Sequence, residues 1–212
     1  MKFKSSDLPK LRGYFANKYS EYAEFHNHLP GGKFSYKFPH IQYRNIGNHP
    51  ALIGLHNGIE ILKKVFFELD EMIINNHKYK INEKEIMLNE HLFGVSEKFI
   101  NYKFLSPWMA LNEDNYKKYN KMNKFEQQLF LKKILKGNLM TLSKGFEYTI
   151  PNLNDIKVEG YFKSMRINFK NQKMLCFTGA FTTNFYIPDY LGLGKQSARG
   201  FGVVQSDEIK RR

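Results

Sequence analysis

Along this chain the spacing of apolar residues switches between helical and strand periods. In "SSDLPKLRGYFANKYSEY", Leu8, Leu11, Phe15 and Tyr19 recur at helical spacing, with Asp7 placed as N-cap and Pro9 in the first turn. A short strand, "KFKS", is predicted before this helix. "EFHNHLPGGK" reads as a loop punctuated by Pro30, Gly31 and Gly32. "KFSYKFPHIQYRNI" alternates as a strand does, "GNHP" is a turn, and "ALIGL" is a short buried strand. "NGIEILKKVFFEL" opens on Asn57 with Glu60 three residues on, a capping-box pattern. Its predicted inner face is Ile59, Leu62, Phe66 and Leu69. "HKYKINEKEIML" and "EKFINYKFLS" follow as strands.

The order strand–helix–strand–strand–helix–strand is that of a ferredoxin-like unit. The second half reads as a looser copy. Its helix, "NKFEQQLFLKKILKGNLMTL", has Asn123 as cap, Glu126 three residues on, and Gly137 near a C-terminus or kink. "IKVEGYFKSMRINF" and "QKMLCFTGAFTTNFYI" form a predicted hairpin, and "GFGVVQ" closes the sheet. The fold class is therefore α+β: two tandem ferredoxin-like (RRM-like) domains over residues 1–94 and 95–212, with a C-terminal glycine-rich loop.

Charge adds a partner class to this picture. The chain holds 33 Lys and Arg against 20 Asp and Glu, a formal net charge of +13. That excess points to a polyanion. An anionic membrane is the weaker reading, because no apolar run approaches the roughly 18 residues of a spanning helix and the N-terminus lacks a signal-peptide core. Cys176 is the single cysteine, so no intrachain disulfide and no cysteine-rich metal site forms, and a reduced, cytoplasmic setting is expected.

Near the C-terminus, "YLGLGKQSARGFGVVQ" carries two G-x-G pairs, Gly192/Gly194 and Gly200/Gly202. Lys195 and Arg199 lie between the pairs. Glycines beside cations suit a phosphate backbone. A dinucleotide fingerprint is excluded, since Ser197 replaces the third glycine and too few residues follow Gly202 for a βαβ unit. A P-loop is excluded because Gln196 follows Lys195. A tight turn between strands is the bland alternative.

"GLGKQSARGFG" resembles the C-terminal glycine-rich motif of the CRISPR-associated repeat-RNA endoribonucleases, the Cas-six family within the RAMP superfamily. The double ferredoxin-like reading and the motif's terminal position agree with that family. The resemblance implies binding of CRISPR repeat RNA and cleavage of the precursor transcript into guide RNAs, without metal or other cofactor. It implies a monomer or homodimer, with CRISPR effector-complex proteins as further partners and no membrane. The chain departs from the family in its very short first strand.

Metal-free cleavage uses the RNA's own 2′-hydroxyl as nucleophile and leaves a 2′,3′-cyclic phosphate and a 5′-hydroxyl. Histidine suits both proton transfers, since its ordinary pKa is about 6.5. His26 and His28 are two apart, so in extended chain both face one side. "LRGYFANKYSEYAEFHNHLPGGKF" resembles the family region that holds a catalytic histidine, which assigns His26 and His28 as the acid–base pair. Lys33 and Tyr36, just downstream, are candidates for stabilising the phosphorane or orienting the ribose. His40 is a rival. H-x-H with Glu24 offers an alternative metal-dependent nuclease, and an inactive repeat-RNA-binding subunit is the other alternative. For RNA contact the candidates are Lys124, Lys132, Lys133 and Lys136 on one helix face, with Phe125, Leu129 and Ile134 packed inward. To these are added Arg12 and Lys18 on the first helix, Arg166 on the hairpin, and Gly192, Gly194, Lys195, Arg199, Gly200 and Gly202 in the loop. No acid beyond Glu126 is expected to balance the lysine face.

Overall fold

A computed structural model describes residues 3–25, 38–74 and 77–207. By contact the chain divides into two units. The first is Met1–Glu90 with Ala198–Gly200, and the second is His91–Ser197 with Phe201–Arg212. The tip of the glycine-rich loop thus belongs to the first unit.

In the first unit, helix α1 (Leu8–Lys18) buries Leu8, Leu11 and Phe15, the predicted stripe, and Tyr19 continues it beyond the helix end. Asp7 occupies the N-cap but makes no side-chain cap bond. Its carboxylate instead accepts from the Lys4 amide at 3.2 Å and the Lys10 ammonium at 3.3 Å. Among the described residues, the predicted strand before α1 is not formed. Phe3 and Lys4 lead into a 3₁₀ turn over Ser5–Asp7, and Phe3 is held by its amide on the Asn48 carbonyl at 3.2 Å.

Strands β1 (Ile41–Ile46) and β2 (His49–Gly54) pair antiparallel across a two-residue turn at Gly47 and Asn48, both with positive φ. Helix α2 (Asn57–Glu68) buries Gly58, Ile61 and Val65; of the predicted inner face, Leu69 is buried just past the helix end and Leu62 packs against the core, while Ile59 is exposed. The capping box is absent. The helix starts one residue earlier, His56 is its N-cap, and Glu60 pairs with Lys63 at 2.8 Å. A hairpin of β3 (Glu71–Ile74) and β4 (His77–Lys80) follows. The unit's core centres on Phe15, which stacks with Phe25 at 5.4 Å and meets Tyr43 at 6.1 Å. Arg44 also lies in this interior, 1% exposed. It donates to the Tyr43 carbonyl and the Gln42 side chain, and burial lowers its pKa to about 9.

The second unit holds a four-stranded antiparallel sheet in the order β6-β7-β5-β8, with β5 (Gly94–Phe104), β6 (Val158–Phe169), β7 (Gln172–Tyr186) and β8 (Val204–Ser206). Lys170 and Asn171, both at positive φ, form the two-residue turn between β6 and β7. Helix α3 (Glu113–Tyr119) was not foreseen. Helix α4 (Lys124–Gly145) has the predicted capping box of Asn123 and Glu126, but it runs through Gly137 without ending. It buries Leu131, Leu135, Leu139 and Leu142. Its Gln128 side chain bonds both the amide and the carbonyl of Phe162, each at 2.9 Å. That pairing occupies backbone groups on the sheet's edge strand, β6. Phe104, Trp108, Phe162 and Phe177 fill the interior, and the Trp108 indole donates to Asn138 at 3.0 Å.

Candidate nucleic-acid interface and active site

The glycine-rich loop is built by close backbone packing. Leu191 and Leu193 are fully buried, and the Leu193 amide donates to the Gly202 carbonyl at 2.9 Å. Gly202 donates to Pro107 at 2.9 Å, and Lys195 to Met109 at 3.1 Å. Gly202 sits at φ +63°, and a Cβ there would lie 2.0 Å from the Leu193 carbonyl oxygen. Gly200, at φ +81°, leaves no room beside Leu8, whose Cδ1 would be 2.3 Å away. At three positions the amides are therefore not free to face a phosphate: the N–H groups of Leu193, Lys195 and Gly202 are taken by protein carbonyls. Lys195 is exposed, and Arg199 is half-buried at the end of a 3₁₀ turn over Ser197–Arg199.

Arg12 and Arg199, far apart in sequence, come together in the first unit. Arg199 has its pKa lowered first by burial and then by the positive charge of Arg12. Arg12 also acts on the buried Tyr43 hydroxyl, whose pKa burial raises and the guanidinium opposes. Tyr43 in turn donates to the Phe25 carbonyl at 3.4 Å. Phe25 is the last described residue before the histidine segment. Arg12 and Arg199 thus lie close enough for the charge of one to act on the other, beside the buried Tyr43. Tyr43 was missed in the sequence reading. No local signal marks it, because its role depends on strand β1 passing beneath α1.

His26, His28, Lys33 and Tyr36 lie outside the described residues. Both flanks of their segment touch the start of α2. Asn57 donates to Glu24 at 3.2 Å, and the His40 and His56 rings stand 5.2 Å apart. His56 holds an unusual backbone, φ 48° and ψ −127°. The structure thus sets His40 beside His56. Among the described residues, no cluster of three or more His, Cys, Asp or Glu side chains is placed to hold a metal ion. Cys176 is buried, and burial raises its thiol pKa to about 11.

The predicted basic helix face needs revision. Phe125 and Leu129 do not pack inward; they are 72% and 48% exposed. Lys132 is balanced by an acid that sequence spacing did not reveal, Glu159 on β6, at 2.5 Å. Lys124 and Lys133 are exposed, and Lys136 is half-buried. Arg166 is exposed on β6. Lys18 lies over the rings of Tyr14 and Tyr19 at 5.7 and 5.5 Å, with Lys10, Gly13 and Asn17 along the same open groove of about 660 Å³. No described helix is long and apolar enough to cross a membrane.

Comparison with known proteins places this architecture. A solved structure of Cas6b superposes with a TM-score of 0.90 at 40% identity, covering 97% of this chain and 94% of that one. A second, a CRISPR RNA processing endoribonuclease Cas6b, gives 0.72 at 35% identity, covering 97% and 93%. An uncharacterized protein of Methanocaldococcus jannaschii is 34% identical over 141 residues, which is 66% of this chain and 95% of that protein. The fold is that of tandem ferredoxin-like domains, as the sequence pattern predicted. Residues 1–92 match the Cas6b N-terminal domain and residues 94–207 the Cas6b C-terminal domain, and the chain belongs to the Cas6b family.

Proposed function

We propose that this chain is an endoribonuclease that binds CRISPR repeat RNA and cuts the precursor transcript into guide RNAs without metal. The observation that carries the reading is the Arg12–Arg199 pair beside Tyr43 and Phe25, at the entry to the segment that bears His26 and His28. The likeness to an endoribonuclease that processes CRISPR RNA supports the substrate class.

The chemistry follows from the residue types. The Arg12 and Arg199 guanidiniums hold the scissile phosphate and favour the extra negative charge of the phosphorane. One histidine, neutral, removes the 2′-hydroxyl proton. That oxygen attacks the adjacent phosphorus as the bond to the 5′-oxygen breaks. The other histidine, protonated, supplies the leaving oxygen's proton. Lys33 and Tyr36 steady the phosphorane or the ribose. The products are a 2′,3′-cyclic phosphate and a 5′-hydroxyl. Because one histidine must be neutral and the other charged, the rate falls on both sides of a pH optimum.

Exposed Lys124, Lys133 and Lys195 supply less specific attraction along the RNA. Lys132 contributes less, being held by Glu159.

Arg199→Ala is expected to weaken binding of repeat RNA about tenfold and to reduce the salt slope of log K by about one. Fluorescence anisotropy across a salt series measures both. Unchanged affinity and slope in Arg199→Ala and in Arg12→Ala would remove the pair from the RNA site.

A further inference from the structure

The solvent face of the second unit's sheet carries a surface that the proposed cleavage chemistry does not use. Side chains alternate across a strand, so the face can be read from register. Phe162, Phe104 and Val204 point to the interior at 2%, 7% and 0% exposure. Their neighbours Tyr161, Lys103 and Gln205 point outward. The pairings Tyr161↔Ala180, Ala180↔Lys103 and Lys103↔Gln205 set these side chains in one row across all four strands. The next rows hold Lys163 opposite Thr178, and Glu159 opposite Thr182 opposite Asn101.

The residue sizes in these rows form a relief. The central strand β7 presents only Thr178, Ala180 and Thr182. On one side β6 raises Tyr161, 64% exposed, with Lys163 and the half-exposed Met165. On the other side β5 raises Lys103 and Phe99, the latter 61% exposed beside an irregularity that takes residues 96–99 out of the ladder. The result is a shallow track with a floor of small side chains and walls of rings and ammonium groups. Two strand spacings make it about 10 Å wide. Neither Lys103 nor Lys163 enters an ion pair found among the described residues, and Glu159 is already held by Lys132.

We infer that this track binds single-stranded RNA, with bases stacked on Tyr161 and Phe99 and phosphates attracted by Lys103 and Lys163. A duplex is about 20 Å across and its bases are already stacked; single-stranded bases are free to lie on exposed rings. The chain's +13 charge makes a second copy of itself a poor occupant for a face walled by lysines. The inference rests on the proposed function for its RNA partner and adds a second contact region on the same substrate. It assigns this contact to unpaired nucleotides, away from the arginine pair.

The test is anisotropy with two labelled probes, a repeat RNA and a ten-nucleotide oligouridylate, on the full chain. Tyr161→Ala is expected to weaken oligouridylate binding about tenfold, the scale of one stacked base. Tyr161→Phe, which keeps the ring, is expected to bind as the wild type does. Lys103→Ala and Lys163→Ala are each expected to lower the salt slope. All three positions lie on the surface, and thermal melting of each variant confirms folding. Wild-type binding that Tyr161→Ala leaves unchanged overturns the track while leaving the repeat-processing reading intact. Loss of dimers in Tyr161→Ala with RNA affinity unchanged identifies a self-association face instead and also overturns it. Failure of the wild type to bind either probe overturns both readings.

Discussion

Replacing His26 or His28 with alanine is expected to slow repeat-RNA cleavage by about 10²–10⁴-fold, the usual contribution of one positioned acid or base. RNA affinity is expected to stay nearly unchanged. Both substitutions remove a proton carrier and leave Arg12, Arg199 and the lysine surfaces in place. Single-turnover rates with saturating protein separate chemistry from binding. If only one substitution slows the reaction, the other proton transfer belongs to a different group. His40 is then the next to replace, because its ring stands 5.2 Å from His56 at the far flank of the same segment. If neither substitution changes the rate, the acid–base assignment fails. A wild type that binds the repeat tightly and never cuts it would be an RNA-holding member of the family.

Gly202→Ala carries the largest expected stability effect. The backbone at φ +63° disfavours any L side chain, and a methyl group would sit 2.0 Å from the Leu193 carbonyl oxygen. That oxygen belongs to backbone, and the Leu193 amide is itself bonded to the Gly202 carbonyl at 2.9 Å, so neither partner yields without breaking the loop. A loss of about 3–5 kcal/mol is expected, in the range of strained or overpacked sites. Gly137 supplies the control. It lies inside α4 with no atom within 4 Å of an added Cβ. Gly137→Ala is therefore expected to stabilise by up to about 1 kcal/mol. Urea titrations of the two variants test the contrast. Equal and small effects would mean that the glycine loop is not held as described.

Much of the fold was legible because local chemistry determined it. Asn123 and Glu126 cap α4 in either view, and alternation found the β6–β7 hairpin. Misreadings occurred where the deciding contact is distant. Ile59 was placed inward on periodicity alone, but α2 starts one residue early, from a His56 backbone that no capping rule anticipates. Phe125 and Leu129 were read as core because they are apolar. The helix instead turns its leucines at 131, 135, 139 and 142 inward and leaves those two exposed. The short strand Glu71–Ile74 was hidden behind the end of α2, too brief to show a period.

The candidate site divides the same way. Arg12 and Arg199 were legible as cations on a helix and in a glycine loop, but their meeting is a fact of topology, 187 residues apart. The four glycines were read as room for a phosphate. They also give room to the protein's own carbonyls and side chains, as at Gly202 beside the Leu193 carbonyl. The Lys132–Glu159 pair shows the limit of counting charges along one helix, since the balancing acid comes from a strand.

Metal-free cleavage through the RNA's own 2′-hydroxyl can be read from the reaction products. The most direct measurement incubates the purified chain with labelled repeat RNA in excess EDTA and analyses the ends of the product. One cut at an undiminished rate is expected, leaving a 2′,3′-cyclic phosphate and a 5′-hydroxyl, with no cut in the all-DNA counterpart. Cleavage that stops in EDTA and returns with a divalent cation, or that leaves a 5′-phosphate, would contradict it and point to the metal-dependent alternative at Glu24, His26 and His28.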